Sequence, residues 1–163
     1  MDDLLIGESV ELGSRGGRGN LLGIQPWMRQ VDYASEDAFH ARLDGYFQAA
    51  RQRGWLEEKT IVALPEYLGT WLVAAGEKPG MVAAPTIAAA MRQLVFSHLG
   101  AFAREILSAG EKQKVEASLF RLKAVEMARI YQSVFSRLAQ AYAVTLAAGS
   151  ILLPMPYVEN GQV

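Results

Sequence analysis

A glutamate placed directly after a proline, Pro65-Glu66, closes the run Thr60-Ile61-Val62-Ala63-Leu64. That β-branched and aliphatic run predicts a strand buried on both faces. In open α/β sheets ligands collect at the carboxyl ends of the strands, which makes Glu66 the candidate catalytic residue. Against an apolar strand mouth, desolvation penalises the charged form of a carboxylic acid and tunes it toward general-base work. The same position equally suits an acid that opens the next turn, accepts backbone N–H bonds or pairs with an arginine.

Other chemistries find little footing. The chain has no cysteine, which removes disulfides, thiolate metal sites and any thiol nucleophile. His40 and His98, the two histidines, fall on separate predicted helices, and no His-Glu-x-x-His, Walker or Gly-x-Ser-x-Gly pattern occurs. His98, on a mostly apolar helix, reads as a packing residue. Gly17 and Gly19 suggest a dinucleotide fingerprint, but Leu22 stands where the third glycine belongs and the cluster precedes its strand. No metal and no cofactor is expected.

The elements that must position Glu66 follow from periodicity. The segment 13–19, Gly-Ser-Arg-Gly-Gly-Arg-Gly, has little side chain to pack, so 1–19 reads as a flexible lead. Leu21, Leu22 and Ile24 form a short strand ended by Pro26. Ser35 is placed to cap a helix over 36–53, with Glu36 and Asp37 in its first turn, Phe39, Leu43, Phe47 and Ala50 on its core face, and Gly54 at its end. After the Thr60–Leu64 strand, a helix is expected over 86–108. Another over 115–142 sets Leu122, Val125, Tyr131, Phe135 and Leu138 toward the core. Val144-Thr145-Leu146-Ala147-Ala148 is a third strand, ending at Gly149-Ser150. Strand-helix-strand repetition makes the class α/β, with parallel strands joined by right-handed crossovers.

This succession resembles the nitrilase superfamily of carbon-nitrogen hydrolases over residues 20–163. The resemblance rests on Asn20-Leu21-Leu22-Gly23-Ile24-Gln25-Pro26, Ile61-Val62-Ala63-Leu64-Pro65-Glu66-Tyr67 and Val144-Thr145-Leu146-Ala147-Ala148-Gly149-Ser150. It implies the first half of an α-β-β-α sandwich, with an inserted helix after the second strand. It also implies Glu66 as general base to a cysteine thiol attacking an amide or nitrile carbon, with a lysine stabilising the tetrahedral species. Both partners would lie downstream, since none of Lys59, Lys78, Lys112, Lys114 or Lys123 stands in the corresponding context. Tyr67, Trp71 and Leu72 suit either the substrate site or an aromatic anchor for the inserted helix.

At the C-terminus, Tyr157 to Val163 holds an Asn-Gly turn signal with only two residues left for a return arm, read as an interrupted hairpin or a frayed tail. The chain is therefore expected to be the N-terminal part of a hydrolase, inactive alone and leaving a sheet face or edge uncovered for self-association into a homo-oligomer or for a partner chain. A non-catalytic binding or regulatory module is the alternative. With 51% hydrophobic and 20% charged residues the composition is that of one globular domain. Sixteen basic against seventeen acidic residues give a net charge of -1, which offers no field for nucleic acid or an anionic membrane. An acidic start without a signal core and no unbroken 20-residue apolar stretch predict a cytoplasmic protein.

Overall fold

The computed structural model describes residues 6–13, 18–77 and 115–153, the last stretch with side chains from 120 onward. The expected helix over 86–108, His98 and the Tyr157–Val163 turn lie outside the described residues. Within them the order is β1 (Asn20–Gly23), a short 3-10 helix (Gln30–Tyr33), α1 (Glu36–Gln52), β2 (Thr60–Ala63), a second 3-10 helix (Thr70–Ala74), α2 (Val115–Tyr142) and β3 (Thr145–Ala147). The class is mixed α/β. The strands form one parallel sheet in the order β1-β2-β3, with Leu21, Ile61 and Thr145 in register across it.

α1 begins where the sequence places it. The Ser35 hydroxyl accepts the Ala38 amide at 3.1 Å, and Gly54 ends the helix at φ +69°, a conformation that costs glycine nothing. Phe39, Leu43 and Phe47 are fully buried on its inner face. They meet Met127, Ile130, Val134 and Leu138 of α2 and Val62 of β2 in a single core. Aromatic edges lock the helices together, with the Phe39 and Phe135 rings 5.9 Å apart and the Phe47 and Tyr142 rings 5.1 Å apart. At one end Glu36 accepts from Arg129 (2.7 Å) and Ser133 (2.6 Å). At the other, Arg51 donates to the Ala141 carbonyl at 2.8 Å.

Two expectations need correction. β2 is buried on one face only: Thr60 and Val62 are sealed, whereas Ile61 is 46% exposed and Leu21 beside it 73% exposed. The cause is topological, because two crossovers of the same hand advancing the same way across a sheet deliver both helices to one face. The open face carries Leu21, Gly23, Ile61, Ala63, Thr145 and Ala147, with no charged residue among them.

The second correction concerns α2, where Leu122 and Val125 point outward. The buried stripe starts instead at Lys123 and Met127 and runs through Ile130, Val134 and Leu138, with Phe135 buried and Tyr131 packed against the core as the spacing predicts. Lys123 occupies a core position because its ammonium is satisfied there. It donates to the Ala75 carbonyl and to Glu126 at 2.8 Å each, and pairs with Glu77 at 3.1 Å. After β2, the described inserted structure is the five-residue 3-10 helix, which buries Leu72 and Val73. The lead is not wholly detached, since Trp55 Nε1 donates to Glu11 at 3.0 Å. No helix among the described residues is long and apolar enough to cross a membrane.

Candidate active site at the carboxyl end of the sheet

The two segments that leave β2 and β3 at the carboxyl end of the sheet are tied to each other by main-chain and side-chain bonds. Leu64 N–H donates to Ala147 O, extending the ladder one residue past β2. Beyond it the β3 segment turns at Gly149, φ +78°, directly under the Pro65 carbonyl. A Cβ at that glycine would sit 2.1 Å from Pro65 O, so no other residue allows the two backbones this approach. Ser150 then bonds twice, its hydroxyl accepting Tyr67 N–H at 2.7 Å and its carbonyl accepting Gly69 N–H at 3.0 Å. Thr70 returns the arrangement, its hydroxyl accepting Leu152 N–H at 3.2 Å.

Tyr131 of α2 braces both segments from below. Its hydroxyl is 3.1 Å from the carbonyl oxygens of both Ala148 and Gly149. Its ring lies against Gly69, where an added Cβ would come within 2.5 Å of it. Burial pushes the Tyr131 phenol above its ordinary pKa, which keeps it a donor across the physiological range. Tyr67 is held at φ +60°, a left-handed conformation that is strained for a bulky residue. Strain of this kind persists only where the surroundings over-determine it, and it concentrates at functional sites.

Glu66 sits between Pro65 and this strained tyrosine, at the end of β2 where the sequence places it. Its residue is exposed, so the described residues do not supply the apolar mouth expected around it. Glu66 opens the turn over residues 66–69, which is one part of the anticipated structural alternative, but no local bond to its carboxylate is seen among the described residues. No described residue hydrogen-bonds or pairs with the Glu66 carboxylate. A firmly held backbone thus presents an uncommitted acid. Such a group can accept a proton from a nucleophile brought beside it, or accept a hydrogen bond from a ligand.

Around it, Tyr67 (61% exposed) and Trp71 (42% exposed) stand open at the same end of the sheet, while Leu72 is wholly in the core. Leu72 therefore anchors the 3-10 helix and does not line a site. His40 is half-buried on α1, and no group of three metal-ligating side chains exists among the described residues. Of the residues the sequence left unassigned, Tyr131 carried only a core-spacing signal, and the positive φ of Tyr67 had none. Ser150 was visible as the end of a strand motif. Comparison with protein-family models, with curated proteins and with solved structures returned no match.

Proposed function

We propose that this chain carries the general-base segment of a nitrilase-like hydrolase of non-peptide carbon-nitrogen bonds, amide or nitrile. Glu66 would take the proton from a cysteine thiol, so that the thiolate attacks the substrate carbon. With an amide the acid would then return the proton to the departing nitrogen before water hydrolyses the thioester; with a nitrile one water would first add to the thioimidate, so that ammonia can leave and the same thioester forms. The thiol, and the lysine that would stabilise the tetrahedral species, come from polypeptide outside these 163 residues, which hold no cysteine. The observation that carries the reading is the place of Glu66 at a parallel-strand end, its flanking backbone held by the Gly149-Ser150 turn and its carboxylate unbonded to any described residue.

The open sheet face suits the same reading, because a sandwich needs a second layer over Leu21 and Ile61. The chain is expected to be cytoplasmic, to bind neither nucleic acid nor membrane, and to associate with a second copy or a partner chain. Assay of the chain against a panel of amides and nitriles should give no turnover. Turnover that Glu66→Gln abolishes would overturn the claim of an external nucleophile. The exposure of Glu66 favours one other reading, a binding or regulatory module without chemistry; a monomeric chain with a cooperative melt and no dye-binding apolar surface supports it.

A further inference from the structure

We propose that Ser150 is a positioning residue for Glu66, acting through the Tyr67 amide; this rests on the reading of Glu66 as the base. The Ser150 hydroxyl is the side-chain group that holds the backbone just past the acid, at 2.7 Å from Tyr67 N. Tyr67 at φ +60° would relax to negative φ if left to itself, and that rotation turns the peptide joining it to Glu66. The bond to Ser150 opposes the rotation from one side. On the other, the Pro65 carbonyl is confined by the backbone of Gly149. The peptides before and after Glu66 are therefore both fixed by the turn that follows β3, while the carboxylate itself stays unbonded to any described residue.

The support is reciprocal and selective. Ser150 caps the segment after β2 and Thr70 caps the segment after β3, each with a hydroxyl accepting a backbone N–H of the other. The Ser150 carbonyl also holds Gly69, a contact any residue at 150 could make. The hydroxyl contact with Tyr67 is the one that depends on side-chain identity. Threonine can make it and alanine cannot.

Nuclear magnetic resonance and amide exchange on the 163-residue chain test this. In the unaltered chain Tyr67 should show backbone couplings of positive φ and a protected amide. In Ser150→Ala its exchange should quicken at least about tenfold, its φ should leave the positive region, and the Glu66 side-chain carboxyl resonance should move. Ser150→Thr should restore all three. A lower melting temperature with the Tyr67 and Glu66 signals unmoved would mean that Ser150 only stabilises, and would overturn the proposal.

Tyr67→Gly gives a second background, since glycine adopts positive φ unaided. There Ser150→Ala should leave the Glu66 resonance in place, and movement of that resonance would also overturn the proposal. Glu66→Gln separates this inference from the hydrolase reading. It should leave the Tyr67 exchange and couplings unchanged. In the protein that carries the thiol, undiminished hydrolysis by Glu66→Gln would end the base reading and leave the positioning of residue 66 standing.

Discussion

The two faces of the sheet differ by one step along each strand and share almost nothing else. Val62 is fully buried under Phe39, Phe47 and the α2 stripe, whereas its neighbour Ile61 is nearly half exposed in a row with Leu21 and Thr145. The strands are alike in composition on both sides, so the difference comes from connectivity: both crossover helices land on the Val62 face. One face therefore holds the stability of the domain. The other is apolar surface without cover from the described residues.

The largest effect should fall on the covered face. Phe47→Ala removes a ring packed against Tyr142 and should cost about 3–5 kcal/mol in urea unfolding, enough to unfold a marginal domain. Lys123→Met removes the ammonium that pairs with the buried Glu77 carboxylate at 3.1 Å and should cost about 3 kcal/mol near neutral pH. Gly149→Ala forces a Cβ against Pro65 O at φ +78° and should cost about 2–3 kcal/mol, read in the same denaturation experiment. Ile61→Ser on the open face should change stability by less than about 1 kcal/mol. If Ile61→Ser proved as damaging as Phe47→Ala, the contrast between the faces would disappear.

The smallest effect concerns acid sensitivity where the helices meet. Hydrogen bonds from Ser133 and then Arg129 hold the Glu36 carboxyl below its usual range. Its folded pKa is depressed, so its contribution is complete above the ordinary value of 4.5 and is lost as pH falls below that toward the folded value. Glu36→Gln should flatten stability against pH in that window and lower the neutral plateau slightly, where the carboxylate makes its full contribution. An unaltered acid limb would show that the bonds to α2 do not set it.

Much of the fold was legible because it follows from local rules. Ser35 and Gly54 bracket α1, and the aliphatic runs mark three strands, since caps and periodicity act over a few residues. The burial of alternate faces was not legible. A four-residue strand of apolar residues looks the same whether one side or both are covered, and the side on which a helix lands depends on crossovers more than 30 residues long. Tyr131, Phe135 and Leu138 were legible on α2, but the start of its stripe was misread because Lys123 opens it, and a lysine looks like a surface residue until its three oxygen partners are known. At the candidate site, Glu66 could be placed from Pro65 and the strand before it. The surroundings of its carboxylate could not, because exposure is decided by what lies over the strand end, which no short motif encodes.

The bond from Tyr67 N–H to Ser150 joins residues 83 positions apart, and the brace beneath it comes from Tyr131 in the last described helix. Closing so long a loop is entropically slow to reward, so the geometry around residue 66 should be among the last parts of the domain to assemble. During synthesis the acid would leave the ribosome well before its support, and the nascent chain would carry the residue for some time before it carried the site.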